Sequence, residues 1–206
     1  MVDICIIDYK MGNLYSITRG LEKAGANVEI IENPIKEFDF DGLVIPGVGA
    51  FKTAIKNILP FKSAIEDFYE TGKPILGICL GLQLFFSKSY EGGVYDGLDF
   101  IKGEVIRFPE DLDEPVPHMG WNTIEIHNKE SPLLKDVSSN TYFYFVHSYY
   151  GKPKNNEYIV ATTNYGLDFP SIVVKKNLYL VQFHPEKSSA DGLKILKNFI
   201  KLSHQS

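Results

Sequence analysis

Two cysteines and five histidines carry the nucleophilic and imidazole chemistry open to this chain. Cys79 has the most suggestive neighbours. From Pro74 an apolar run enters Gly77-Ile78-Cys79-Leu80-Gly81, and a helix-like segment follows. This is the cysteine counterpart of the Gly-x-Ser-x-Gly nucleophile elbow, a sharp strand-to-helix turn. The flanking glycines leave room for neighbouring backbone and for a substrate. The start of a helix favours a thiolate, by only about 0.3–1 kcal/mol at an exposed site. A base must therefore assist. The plain alternative is a small buried hydrophobe, the usual fate of a free cysteine. The paired glycines argue against it at Cys79. Cys5 lies inside an apolar strand and reads as core.

His184 is the first candidate base. It follows an apolar strand in Gln182-Phe183-His184-Pro185-Glu186. Residues two apart on an extended segment share a side, so His184 and Glu186 can project together. Pro185 keeps His184 extended. A carboxylate beside an imidazole fixes its tautomer and stabilises its cation. A surface pair closing a strand is the alternative. His118 and His147 compete for the role, although His147 lies in an aromatic strand that suits core packing. His204 lies near the C-terminus.

A third stretch could stabilise developing negative charge. Leu43-Val44-Ile45 runs into Pro46-Gly47-Val48-Gly49. Two glycines around one residue can turn backbone N–H groups outward. The amides of Val48 and Gly49 are candidate oxyanion donors, joined by that of Leu80 after the nucleophile. A plain tight turn would use the same residues. A dinucleotide loop would need a third glycine that is missing.

The elements that must hold these groups alternate in the first half. Residues 2–8, 28–32, 41–45 and 74–79 read as strands. Residues 13–24, a region from 50 to 70 broken near Pro60, and 80–87 read as helices, with Gly25 a stop. That order predicts a parallel sheet with helices on both faces. The second half is richer in Tyr, Val, Ile and Thr, with strands at 121–127, 141–150 and 158–163. Residues 172–183 read as a hairpin about Asn177, and a helix spans 190–202. The expected fold is a three-layer α/β arrangement. Its central, mainly parallel sheet lies between helices, with additional antiparallel strands in the second half. No linker or repeat divides residues 1–206, so one domain is expected.

Composition fits this reading. The chain has 206 residues, 44% hydrophobic and 23% charged, with a net charge of −5. That balance belongs to a globular protein and offers no basic face for nucleic acid. The two cysteines form no disulfide scaffold or zinc motif. No apolar run is long enough to span a bilayer, and no signal peptide is evident. The cytoplasm is the expected compartment, with no metal or cofactor.

Together the 46–49 loop, the Cys79 elbow and the distant His184-Pro185-Glu186 resemble the class I, or triad, glutamine amidotransferases. The resemblance runs from about residue 3 to residue 200. It implies that Cys79 attacks glutamine, His184 moves protons and Glu186 orients His184, giving glutamate and ammonia through a thioester. Asp8-Tyr9-Lys10-Met11-Gly12-Asn13-Leu14, His118-Met119-Gly120-Trp121-Asn122 and Phe145-Val146-His147-Ser148-Tyr149-Tyr150 narrow it. They are similar to the amidotransferase subunits that pair, as a heterodimer, with a (β/α)8-barrel cyclase in histidine biosynthesis. The resemblance also implies that Gly47, Gln83, Ser148 and Tyr149 bind glutamine. Asn13, Trp121, Tyr144 and Lys187 would face the partner. Lys10 stands where glycine is common, and Leu82 where methionine is common.

Free ammonia is protonated at neutral pH, so a glutaminase of this kind must deliver it directly. The amidotransferase domain uses the whole chain, which puts the acceptor site on another one. The aromatic run Tyr142, Phe143, Tyr144, Phe145, Tyr149 and Tyr150 suits an interface, with core packing the alternative for most of it. A non-catalytic module on the same fold, a stand-alone cysteine hydrolase and the amidotransferase of another pathway are the competing readings.

Overall fold

A computed structural model describes residues 1–36 and 38–205. The first half contains β1 (Val2–Ile7), α1 (Leu14–Ala24), β2 (Ala26–Ile31), β3 (Gly42–Gly47), α2 (Phe51–Ile58), α3 (Lys62–Glu70), β4 (Ile75–Cys79) and α4 (Leu80–Leu84). A single 3-10 turn, Leu59–Phe61, separates α2 from α3, where Pro60 cannot continue a helix. The second half contains β5 (Phe86–Ser89), β6 (Tyr95–Asp96), β7 (Ile101–Arg107), β8 (His118–Thr123), β9 (Glu125–Ile126), β10 (Tyr142–His147) and β11 (Tyr149–Pro153). Then come β12 (Ile159–Asn164), β13 (Asp168–Lys175), β14 (Leu178–Val181) and α5 (Ser189–Gln205).

Eight strands form the central sheet in the order β2-β1-β3-β4-β14-β13-β12-β9. The first five are parallel to their neighbours, and β13, β12 and β9 add antiparallel. Alternation in β1 explains the three layers. Ile4 and Ile6 face a core shared with α1 and α5, while Cys5 and Ile7 face one shared with α2 and α3. Both sides are apolar because both faces are covered. Cys5 is fully buried, and burial pushes its thiol up to about 12, so its place in the core is inert.

The sequence reading left β6 and β7 unassigned and began β13 at 172 where it starts at Asp168, and three segments it did assign are divided differently. The helix expected over 80–87 stops at Leu84, because Phe86 pairs with Ile101 in a second sheet. The strand expected over 121–127 is two, and β8 and β9 join different sheets. The strand expected over 141–150 breaks at Ser148, so β10 pairs with β8 while β11 pairs with β7. Side-chain alternation continues from β8 into β9, so periodicity alone cannot mark that change of sheet, whereas at Ser148 it shifts phase: Phe143, Phe145 and His147 are buried and the next buried residue is Tyr150. The 172–183 hairpin is present, turning through Lys176 and Asn177 between β13 and β14.

The junction of β4 and α4 rests directly on β3. A Cβ placed on Gly81 would overlap the carbonyl oxygen of Ile45. Alanine in a helix normally stabilises by about 0.8–1.0 kcal/mol over glycine. Here the clash is with backbone and outweighs that gain. Gly81→Ala is expected to lower the thermal midpoint, measured by calorimetry; a rise would contradict this packing.

Candidate active site

Cys79 ends β4 and caps α4 with φ 54° and ψ −110°. A non-glycine residue there stores roughly 1–3 kcal/mol of strain, which the packing on both sides holds. The residue is 5% exposed. Its Sγ lies 3.7 Å from the Gln182 side-chain amide and 3.7 Å from the Val146 carbonyl oxygen.

β14 lies beside β4 with Val181 opposite Ile78. The chain continues past β14 to His184, whose φ of −100° and ψ of 95° are extended, as Pro185 requires. Its Nδ1 donates to Glu186 Oε1 at 2.8 Å, and the two side chains are 2% and 5% exposed. The free ring nitrogen, Nε2, is buried without a conventional hydrogen bond. Burial disfavours the imidazolium. The charge of Cys79 and the carboxylate of Glu186 overcome that and raise the His184 pKa. The pair can exist as thiolate and imidazolium, the form needed for nucleophilic attack.

The competing histidines are committed to each other. His147 Nδ1 lies 2.9 Å from the Tyr149 carbonyl oxygen, which can only accept, so Nδ1 carries the proton. His147 Nε2 then accepts from His118 Nδ1 at 3.0 Å, and His118 Nε2 accepts from Asn122 at 3.3 Å. Both rings are neutral in this arrangement. Burial lowers His118 to about 4 and, chiefly, lowers His147 to about 3. Neither has a free nitrogen for the thiol. His127 and His204 are exposed.

The loop at 46–49 is only partly as expected. Gly49 has φ +105° and lies on the cavity wall with Val48. The Val48 amide donates to the Met11 carbonyl at 2.7 Å, so it does not face the cavity. Gly47 is buried in register with Cys79 and packs on Tyr9 and Gly81; it is a packing residue, not part of the wall. Leu80 opens α4, where an amide has no carbonyl within its helix.

The cavity beside Cys79 measures about 280 Å³ and is lined in part by Gln83, Ser148 and Tyr149. Gln83 is more constrained than the sequence suggested. Its Nε2 donates to the Tyr149 carbonyl at 2.9 Å and to Gln182 Oε1 at 3.3 Å. Glu91 also lines the cavity, a residue the sequence reading missed. It comes from the turn after β5 and accepts from the Phe51 amide at the start of α2 at 3.0 Å. Burial raises its pKa. No motif surrounds Glu91, so only the fold could find it.

Lys10 occupies φ 65°, the left-handed region that glycine enters freely. Its ammonium bonds Asp8 at 2.8 Å and Glu32 at 2.9 Å, holding the turn without glycine. Asn13 caps α1 by accepting from the Ser16 amide at 3.3 Å. Trp121 and Tyr144 sit opposite each other on β8 and β10, ring centroids 6.2 Å apart. Lys187 Nζ lies 5.9 Å from the Tyr144 ring. Trp121 is 50% exposed and Met119 63%. Of the aromatic run, Tyr142 is exposed, Tyr144 and Tyr149 are half-buried, and Phe143, Phe145 and Tyr150 are core. Among the described residues no cluster of three or more His, Cys, Asp or Glu could hold a metal ion. None of the helices among them is long and apolar enough to cross a membrane.

Residues 5–202 match the family model described as glutamine amidotransferase class-I, and the chain belongs to that family. Among its relatives is the imidazole glycerol phosphate synthase subunit HisH of Methanosarcina acetivorans, 50% identical over 98% of this chain and 100% of the relative. The HisH subunit of Archaeoglobus fulgidus is 48% identical over 97% of this chain and 98% of its own. Among solved structures, PurLQS from Thermotoga maritima matches with a TM-score of 0.76 at 16% identity, covering 100% of this chain and 99% of that one. The glutaminase domain of Trypanosoma brucei CTPS with bound acivicin matches at 0.67 and 17% identity, covering 100% and 95%. These two likenesses establish the shared fold.

The histidines set opposing pH dependences. An unfolded histidine titrates near pH 6.5. His118 and His147 are depressed, so their contribution is complete above that value and is lost as pH falls towards about 4 and about 3. The loss is roughly 2 kcal/mol for each by about pH 5. His184 is raised, so its contribution is intact below about pH 6.5 and lost on the alkaline side. Unfolding free energy should therefore fall between about pH 6.5 and pH 5, and His147→Gln should flatten that slope by about one proton. An unchanged slope in the variant would remove His147 from the account.

Proposed function

We propose that this chain is the glutaminase subunit of imidazole glycerol phosphate synthase in histidine biosynthesis. The observation that carries the chemistry is Cys79 on a strained elbow beside a histidine whose other nitrogen is held by Glu186. The extent of identity to HisH subunits supports the pathway.

In this reading the Cys79 thiolate attacks the side-chain amide carbon of glutamine, forming a C–S bond. The tetrahedral oxyanion collapses as the C–N bond breaks, and His184 gives the leaving nitrogen the proton taken from sulfur. Water then enters, His184 takes its proton, and the C–S bond breaks to release glutamate. The sulfur leaves with the electron pair and recovers its proton. Glu186 keeps His184 in the tautomer that presents Nε2 to both steps. Leu80 supplies one oxyanion donor. The Val48–Gly49 segment supplies another after the Val48 peptide turns away from Met11. Gln83 and the Ser148–Tyr149 backbone border the glutamine. The Glu91 carboxylate suits its α-ammonium group.

The ammonia passes to a cyclase subunit of (β/α)8-barrel fold, bound as a heterodimer. That subunit makes imidazole glycerol phosphate and aminoimidazole carboxamide ribotide. The exposed Met119, Trp121 and Lys187, with the half-buried Tyr144 and with Asn13, form the docking face. Residues 1–206 act as one amidotransferase domain in the cytoplasm, with no cofactor.

Four outcomes test this. Cys79→Ala is expected to abolish glutamine hydrolysis while ammonia-dependent synthesis by the complex persists; equal loss of both would defeat the reading. Glu91→Gln should raise KM for glutamine about tenfold or more with kcat changed less, consistent with a charge-assisted contact worth about 1.5–3 kcal/mol. The free chain should hydrolyse glutamine far more slowly than the complex with the cyclase's substrate bound. Co-purification with a nucleotide-aminating synthetase instead of a barrel cyclase would move the chain to another pathway.

A further inference from the structure

Gln182 is fully buried in the same strand extension as His184, two residues earlier. Extended geometry therefore sends both side chains to the same side. The parallel register of β14 on β4 ends with Val181 opposite Ile78, and one further step brings Gln182 alongside Cys79. Its Nε2 lies 3.7 Å from Cys79 Sγ. The backbone of Gln182 is anchored separately, its amide donating to Ser171 at 2.9 Å.

Hydrogen-bond bookkeeping fixes which end of this amide meets the sulfur. The Tyr149 carbonyl can only accept, so the Gln83 atom 2.9 Å away must be its nitrogen. The second hydrogen on that nitrogen points to Gln182, 3.3 Å away, and needs an oxygen there. The other end of the Gln182 amide, towards sulfur, is then N–H. A flipped amide would set nitrogen against nitrogen at Gln83 and oxygen against sulfur at Cys79.

The Val146 contact of the sulfur has the opposite preference. The Val146 carbonyl at 3.7 Å accepts a hydrogen bond from the thiol and repels a thiolate. A donor on the far side is what the ionised sulfur requires.

We propose that Gln182 is a further catalytic residue of this site, donating a side-chain hydrogen bond to the Cys79 sulfur when that sulfur carries negative charge. Charge resides there twice, in the attacking thiolate and in the thiolate that leaves when water opens the thioester. Gln83 acts on this through Gln182 as a positioning residue, and the Tyr149 carbonyl orients Gln83. The proposal rests on Cys79 being the nucleophile.

The test uses the full chain in complex with its cyclase and two neutral replacements. Gln182→Met preserves bulk and removes the donor. Gln182→Asn keeps an amide for Gln83 but is one methylene short of sulfur, and it covers the case in which the methionine variant fails to fold. Alkylation of Cys79 by iodoacetamide is followed across pH by mass spectrometry, beside glutaminase kinetics. Both variants are expected to move the alkylation midpoint upward by about one pH unit or more. kcat should fall about tenfold or more, with KM changed less than about threefold. An unchanged midpoint overturns the proposal whatever happens to kcat, because a merely structural amide would loosen the pocket without moving the thiol's titration. Cys79→Ala in the same assay separates the two claims. Its continued hydrolysis of glutamine would remove the nucleophile itself. Its inactivity, together with an unmoved Gln182 midpoint, would remove Gln182 alone.

Discussion

The parallel pairing of β4 with β14 is the constraint on which the rest of the site depends. It joins residues about a hundred positions apart in sequence and brings two strand ends out side by side. One end carries Cys79 and the other continues to Gln182 and His184. Ligands of open α/β sheets collect beyond the carboxyl ends of parallel strands, and this cavity follows that rule. Any slip of one residue would turn His184 away from the sulfur. Register is secured by fully buried residues on both faces of β14, with Leu178 and Leu180 in one core and Tyr179 and Val181 in the other.

Desolvation acts on three buried histidines, yet it yields two kinds of group. His118 and His147 see each other, an amide and a carbonyl, with no carboxylate in hydrogen-bond contact, and burial keeps them neutral. His184 meets Glu186 on one side and Cys79 on the other, and those charges reverse the effect of burial. Environment separates a histidine that can hold a proton from two structural rings of the same residue type. The structural pair still bears on the cavity, because the His147 ring and Gln83 converge on one carbonyl, that of Tyr149.

Much of this was legible because its signals are local. The elbow glycines, the His184-Pro185-Glu186 spacing and the β-α alternation each lie within a few residues or repeat along the chain. Pro60, Gly25 and the Lys176–Asn177 turn marked real boundaries. The losses came where the decisive fact is long-range. Nothing around Ile124 announces a change of sheet, since alternation persists through it, and at Ser148 the change of phase falls within a run rich in Tyr and Phe, where residue type does not distinguish the two faces. Glu91 reaches the cavity only because β5 replaces the end of an expected helix. Gln182 was within reach of the two-residue spacing that found Glu186, applied backwards from His184, although Glu186 itself lies in the 3-10 turn Pro185–Lys187 and not on an extended segment.

The backbone of Tyr144 shows how the surface and the site are joined. Its carbonyl accepts from the His184 amide at 2.9 Å, and its own amide donates to Ser188 Oγ at 2.9 Å. Ser188 Oγ in turn donates to the His184 carbonyl at 2.6 Å. The peptide groups on both sides of the imidazole are thus tied to one residue of β10. The side chain of that residue stands on the outer face with Trp121 and beneath Lys187. Ser188 is fully enclosed, so losing its hydroxyl would leave the Tyr144 amide without its acceptor, a cost of about 1–3 kcal/mol. A shift of β10 relative to residues 184–188 cannot occur without breaking these bonds. The three hydrogen bonds therefore fix the backbone of His184 and Ser188 to β10, the strand whose outer side chain is Tyr144.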